Sequence, residues 1–208
     1  MTRARSRVAT GLIAVAVLLA GCRTIPPQPV VGPGADAPWA AQRAGLEKLD
    51  RYGLTGRVAV AANGQGFTAN LRYAQQPRRS DLALDGPMGL GGVRVAIEGD
   101  DLRIETSGGK QFDGPEARAE LERRLGFALP LTELRWWLLG IPAPGDADVT
   151  EDSGSGEIRG FTQHGWRVSI DSRAPGLGFA LPQKLTAERT GAEREDARMK
   201  LLVERWQP

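Results

Sequence analysis

The chain has 208 residues, with 27 basic and 25 acidic side chains, one cysteine and one histidine. A lone cysteine excludes an intrachain disulfide framework, and one Cys with one His cannot supply a four-ligand structural zinc site; any Ser-His-Asp or Cys-His triad would have to run through His164. The net charge of +2 arises in the first 21 residues: without their three arginines the balance is 24 basic against 25 acidic, which offers no clustered positive field for nucleic acid.

Residues 1–21 read as a secretory signal. Arg3, Arg5 and Arg7 form a charged start, and Gly11 to Ala20 form an apolar run shorter than the roughly 20 residues that span a bilayer. Leu19-Ala20-Gly21-Cys22 resembles a bacterial lipobox. That resemblance makes Cys22 the lipid-modified residue, carrying diacylglycerol and a fatty acyl group, with no other cofactor implied. Each buried methylene contributes about 0.8 kcal/mol, so several chains together form a firm anchor. Arg23 stands where an Asp would mark inner-membrane retention, which points to the outer membrane. Residues 22–37 are then a tether, because 23–38 hold five prolines and no periodic pattern. Pro-rich chain extends about 3 Å per residue.

The domain is expected over 38–208. Asp36 or Pro38 opens a helix predicted to reach Tyr52, with Trp39, Leu46 and Leu49 near one face and Gly53 as its stop. Leu54, Gly56, Val58 and Val60 then alternate with Thr55, Arg57 and Ala59. Asn63-Gly64 supplies a hairpin turn. Phe67, Ala69, Leu71 and Tyr73 alternate with polar neighbours, and Gln76-Pro77 turns the chain. Leu82 and Leu84 follow, then Val93, Val95 and Ile97, then Leu102 and Ile104 after Gly99-Asp100-Asp101. Period two with one apolar side predicts antiparallel strands with one covered face. The period changes over Pro115 to Leu125, a predicted helix with Leu121 and Leu125 inward. Pro130 to Leu139 reads as a second, apolar helix ended by Pro142 and Pro144. Strands resume with Ile158 and Phe161, a turn at His164-Gly165, then Trp166, Val168 and Ile170, then Leu185 and Ala187. Met199, Leu201 and Val203 close the series. The fold class is mainly β (α+β), with about nine to eleven strands and three helices.

The order of these features resembles the LolB family, an outer-membrane receptor of the lipoprotein-sorting pathway. The carrying pieces are the lipobox at Cys22, Trp39, Leu54-Thr55-Gly56-Arg57-Val58-Ala59-Val60, Asp85-Gly86-Pro87-Met88-Gly89, and Leu134-Arg135-Trp136-Trp137-Leu138-Leu139-Gly140-Ile141-Pro142. Gly165-Trp166-Arg167-Val168, Leu181-Pro182 and a closing strand ending in Trp206 complete it. The resemblance implies an incomplete antiparallel β-barrel enclosing or covered by helices. It implies no enzymatic activity. Its partners would be a LolA-like soluble periplasmic chaperone, the acyl chains of lipoprotein cargo and the outer membrane, with no nucleic acid; the protein is expected to act as a monomer.

Acyl chains left in water cost on the order of tens of kcal/mol, so the task needs an apolar cavity. The candidate lining is Val58, Val60, Phe67, Leu71, Leu82, Leu84, Val95, Ile97, Ile104, Trp166, Val168 and Leu201, with Trp136, Trp137 and Leu138 as a lid. Strand periodicity does not separate a cavity from a filled core, so the alternative of a structural lipoprotein that scaffolds an envelope assembly machine stays open. Pro87, Met88, Gly89 and Leu90 form the other candidate site. Large apolar residues in a Gly/Pro loop mark a binding or membrane contact, and by resemblance Met88 stands where the family usually has a protruding Leu. His164, before a turn glycine, reads as a turn residue against a hydrolase alternative. Asp100-Asp101 and Glu151-Asp152 read as solvated loop charge. Arg57 is left between bonding a lid helix and facing solvent.

Overall fold

The computed structural model describes residues 32–86, 92–189 and 196–208. Among them the chain forms α1 (Trp39–Leu46), β1 (Tyr52–Ala62), β2 (Gln65–Gln76), β3 (Arg79–Asp85), β4 (Val93–Glu98), β5 (Asp101–Thr106) and β6 (Gln111–Asp113). Then come α2 (Gly114–Leu125), α3 (Leu134–Trp137), β7 (Asp148–Glu151), β8 (Ile158–Gln163), β9 (Trp166–Gly176), β10 (Phe179–Arg189) and β11 (Ala197–Gln207). The eleven strands make one antiparallel sheet in the order β6-β5-β4-β3-β2-β1-β11-β10-β9-β8-β7. β6 and β7 are its two edges and do not pair, so the sheet is antiparallel, as the periodicity predicted, and the barrel is incomplete, as the resemblance implied.

The alternation along each strand decides which side is covered. On β2, Ala69, Leu71 and Tyr73 are buried while Thr68, Asn70 and Arg72 are exposed. Two-residue turns close the hairpins at Asn63-Gly64, His164-Gly165 and Leu177-Gly178, each with both residues at positive φ, the geometry that matches strand twist. Between Thr55 and Gly56 the register of β1 against β11 slips by one residue. A Cβ on Gly56 would lie 2.2 Å from the Leu202 carbonyl oxygen, so this bulge accepts only glycine. α2 packs on β5 and β6 at one edge, with Pro115 in its first turn, Ala117, Leu121 and Leu125 buried, and Gly126 as a left-handed cap at φ 81°.

Three expectations are corrected. The first helix stops at Leu46, not near Tyr52: Lys48 N–H and Leu49 N–H bond back only three residues, to Gly45 and Leu46. Tyr52 and Gly53 instead begin β1, because the Tyr52 ring packs against Tyr73 at 5.8 Å and Trp206 at 5.9 Å, across the strands on either side. The second helix is a single turn, Leu134–Trp137, and Gly140 at φ 74° reverses the chain before Pro142. Leu131 and every residue from Trp137 to Ile141 are buried. A regular helix would expose one side of such a run, whereas a folded-back segment hides all of it. The third correction is two strands with no clear alternation, β6 and β7. β6 has three residues and β7 is exposed throughout, so neither carries an apolar stripe to read.

Candidate functional site

The covered face of the sheet holds a cavity of about 80 Å³ lined wholly by apolar side chains. Its walls are Val58 and Val60 of β1, Leu71 of β2, Leu82 and Leu84 of β3, Leu185 and Ala187 of β10, and Met199 and Leu201 of β11. Leu125, Leu129, Leu134, Trp137 and Leu138 cover it. Next to it, sharing Leu84 and Leu125, a second hollow of about 240 Å³ is lined by Phe67, Ala69, Gly86, Val93 and Leu121, with Arg123 and Arg124 at its border; the other buried apolar side chains belong to one continuous cluster. The wholly apolar cavity is smaller than the roughly 150 Å³ that receives a benzene ring, so at rest it cannot hold an acyl chain. A wider, open hollow of about 870 Å³ beside the β1–β2 turn is walled by small residues such as Ala61 and Ala62 together with the polar and charged Asn63, Gln65, Glu188 and Arg198, a mixed surface that suits hydrocarbon less well.

The cover, residues 126–143, is fastened unevenly. Near its end, Gln163 accepts from Trp137 Nε1 at 3.0 Å and Ala143 N–H at 2.9 Å, and donates to the Ala143 carbonyl at 2.9 Å. Arg173 donates to the carbonyls of Gly140, Ile158 and Ala180. Its Nε lies 2.8 Å from Glu157 Oε1, and its guanidinium sits 4.6 Å above the Trp39 ring. The Tyr52 hydroxyl donates to the Arg135 carbonyl. The first part of the cover has fewer ties. Asn63 donates to the Gly126 carbonyl at 3.0 Å and His164 Nδ1 lies 2.9 Å from Glu133, both at the surface. Leu129, Leu131 and Leu134 supply apolar packing.

Buried polar groups lie away from the cavity. The Tyr73 hydroxyl donates to Gln75 Oε1 at 2.6 Å, which also accepts from Ser80 at 2.7 Å. Burial pushes the Tyr52 hydroxyl well above the usual phenol range, with neighbouring Tyr73 adding to the effect. Burial likewise raises Tyr73, against hydrogen bonds that lower it. Both phenols therefore stay neutral and act as hydrogen-bonding groups. Burial lowers the Arg173 guanidinium, opposed by the carboxylate of Glu157.

Of the lining and lid candidates, the cavity brings together Val58, Val60, Leu71, Leu82, Leu84, Trp137, Leu138 and Leu201. Val95, Ile104, Trp166 and Val168 are buried in the core away from its wall. Trp166 is packed between Phe127 at 5.4 Å and Trp137 at 6.4 Å. Phe67 and Ile97 are half-buried against the same cluster. Trp136 is half-buried with the Arg135 guanidinium 4.4 Å above its ring. Cys22 and the loop residues Pro87, Met88, Gly89 and Leu90 lie outside the described residues. Arg57 faces outward and pairs with Glu204 at 2.8 Å. His164 occupies its turn at φ 51°. Asp100 and Asp152 sit in turns, Asp101 opens β5 and Glu151 closes β7. Among the described residues no three His, Cys, Asp or Glu side chains cluster to hold a metal, and no helix is long and apolar enough to cross a membrane.

Leu185, Ala187 and Met199 belong to the wall and share the inward parity of their strands, a signal present in the sequence. Gln163, which fastens the cover, and Gln75, which joins β2 to β3, also fall on inward parity, after Phe161 and Tyr73; a polar side chain at an apolar position is the trace each leaves. Arg173 leaves none.

A family model described as outer membrane lipoprotein LolB matches residues 50–206. The outer-membrane lipoprotein LolB of Stutzerimonas stutzeri is 31 % identical over 195 residues, covering 93 % of this chain and 92 % of that protein. That of Pseudomonas fluorescens is 30 % identical over 192 residues, covering 92 % and 91 %. Among solved structures, a DUF1329 family protein from Desulfovibrio piger superposes with a TM-score of 0.53 at 10 % identity, over 81 % of this chain and 89 % of that one. At that identity the likeness concerns the fold alone.

Proposed function

This chain belongs to the LolB family of outer-membrane lipoproteins, and from that premise we propose that it accepts acylated proteins from a soluble periplasmic chaperone, shelters their acyl chains in its apolar cavity and inserts them into the outer membrane. Residues 1–21 are the cleaved signal, Cys22 carries the lipid anchor, and 38–208 bind cargo.

The supporting observation is the cavity wall: every residue lining it is apolar, and the first part of its cover is held mostly by packing. Apolar contacts are non-directional and scale with area. Leu129 and Leu134 can therefore exchange contact with Val60 or Met199 for contact with a hydrocarbon chain at little net cost. Hydrogen bonds at Gln163 and Arg173 keep the far part of the cover in place. Binding is thus an opening of the cover from its Leu129 side, and the incoming chain replaces the contacts that opening removes. Transfer onward needs only a higher affinity at the next site, and the bilayer supplies it. Met88 and Leu90, in the β3–β4 connection, are the apolar residues offered to the bilayer.

One observation favours the scaffold reading: the resting cavity is small. An acyl-probe titration separates the two. The receptor takes up a fluorescent fatty-acyl probe with an emission shift and releases it to phospholipid vesicles, and Met88→Glu slows release without changing uptake. A chain that takes up no probe is a scaffold.

A further inference from the structure

The chain enters the domain at a defined place. Gly32 N–H donates to the Leu177 carbonyl at 3.1 Å and Gly34 N–H to the Gly178 carbonyl at 2.8 Å. Gln42 fastens the segment from behind: Nε2 donates to the carbonyls of Ala35 and Ala37, and Oε1 accepts from Ala180 N–H at 2.7 Å. The fit leaves no room for side chains. A Cβ on Gly32 would meet the Gly178 carbonyl oxygen at 2.4 Å and the Phe179 ring at 2.6 Å. Leu177 holds φ 53°, a left-handed conformation that a leucine rarely adopts and that persists where the surroundings over-determine it. The tether base is one such surrounding contact.

This pin and the cavity lie at opposite ends of the sheet. Successive turns alternate ends: Asn63-Gly64, the flanks Gly86 and Gly92 of the β3–β4 connection, and His164-Gly165 share one end, while Gly99-Asp100 and Leu177-Gly178 share the other. The cavity is displaced toward the first. It takes Val58 and Val60 but not Leu54 from β1, Ala187 but not Leu181 from β10, and Met199 but not Trp206 from β11. Cys22 stands ten residues before Gly32, and ten residues of extended chain reach at most about 33–36 Å. β1, with eleven residues, is itself about 33 Å long at roughly 3.3 Å per step. A tether running back along the barrel is therefore just long enough to bring the cavity end to the bilayer.

We infer that the pinned tether base sets how this protein is presented to its membrane: the domain is tethered through its Leu177-Gly178 end, and the length from Cys22 to Gly32 is what permits the cavity end to turn to the phospholipid surface and deliver. This rests on Cys22 as the anchor and, for the delivery step, on the proposed acyl binding. A chain lacking Thr24–Pro29 keeps Cys22, Arg23 and the pin but leaves four steps, about 14 Å of reach. Releasing the pin with Gly32→Val together with Gln42→Ala returns chain length to it.

The experiment uses lipidated protein in vesicles of phosphatidylethanolamine and phosphatidylglycerol bearing an energy acceptor on their headgroups. Cys22 is occupied by lipid, so Gln65→Cys or Asp100→Cys accepts a single donor dye at the cavity end or the pinned end; both positions are exposed. The Asp100 dye transfers at least as much energy with the short tether as with the full one. The Gln65 dye transfers roughly threefold less with the short tether, and Gly32→Val combined with Gln42→Ala, which frees the chain as far as Pro38 and returns the reach to ten steps, restores it, as expected when contour length is limiting. Release of a fluorescent diacylated lipopeptide falls in parallel while its uptake is unchanged. Equal transfer from Gln65 with both tethers, or failure of the Gly32→Val, Gln42→Ala pair to restore it, overturns the inference. Absence of lipopeptide uptake in every variant would instead defeat the acyl-binding reading, and the dye measurements would still decide the orientation.

Discussion

The wall of the cavity and the seam that bolts its cover are built from opposite chemistries. The wall, between β1–β3 and β10–β11, offers Leu, Val, Ala and Met side chains, and the hydrogen bonds that reach the cover from this side come from Tyr52 and Asn63, outside the wall. The seam, between the cover and β8–β10, offers Gln163 and Arg173, each bonded to cover backbone distant in sequence, and Gln42 of α1 is bonded in the same way to β10. Buried hydrogen bonds are directional, and leaving one unmade costs about 1–3 kcal/mol. Apolar contact is interchangeable. One side of the interior is thus specified in geometry and the other only in character, a suitable division for a protein that must hold its cover while admitting a variable guest.

Four substitutions test that contrast, ordered by their effect on stability. Arg173→Met should be the most damaging, at about 3 kcal/mol, because it strips donors from three carbonyls and leaves Glu157 without its partner; urea denaturation measures it, and a loss under 1 kcal/mol would deny Arg173 its structural role. Gln163→Leu keeps the volume but strands Trp137 Nε1 and both polar groups of Ala143, for about 2 kcal/mol. It should also make the cover more susceptible to proteolysis between Trp137 and Asp146. Ala187→Leu works on the other side. It fills the cavity, so unfolding should shift by no more than about 1 kcal/mol while uptake of the acyl probe drops about tenfold. Unaltered uptake would move the binding site elsewhere.

The smallest effect belongs to the surface of α2. Hydrogen bonds from Arg123 and Arg124 hold the Glu120 carboxyl down at about 2. A depressed folded-state pKa contributes stability above the unfolded value, lost as pH falls from about 4.3 toward 2. The pair is near the surface and screened, so Glu120→Gln should remove only about 0.5 kcal/mol at neutral pH and flatten the acid limb of the stability curve, with probe uptake unaffected.

Much of this architecture is legible in the residues. Alternation at Val58, Leu71, Leu82, Val168 and Leu201 is a direct consequence of strand pleating, and Asn63-Gly64 and His164-Gly165 announce their turns because both supply left-handed residues. The Pro130–Leu139 segment misleads because its apolar run fits a helix locally, while burial on all sides favours a single turn and a reversal at Gly140. Lining residues were only half legible. Parity says that Val60 and Trp166 both point inward, and nothing local says that one meets empty space and the other the Phe127 ring.

The chain's order of polar and apolar residues determined an antiparallel sheet with one covered face and the position of its tight turns, since these follow from dihedral preferences and pleat, which each short stretch carries by itself; the family resemblance rested on particular motifs between Cys22 and Trp206. Where space is left unfilled, which glutamine and arginine bolt the cover, and at which end the tether is pinned were decided only by tertiary structure. Those depend on volumes and hydrogen-bond partners contributed by segments such as β1, α3 and β9 that meet only once the sheet has curled.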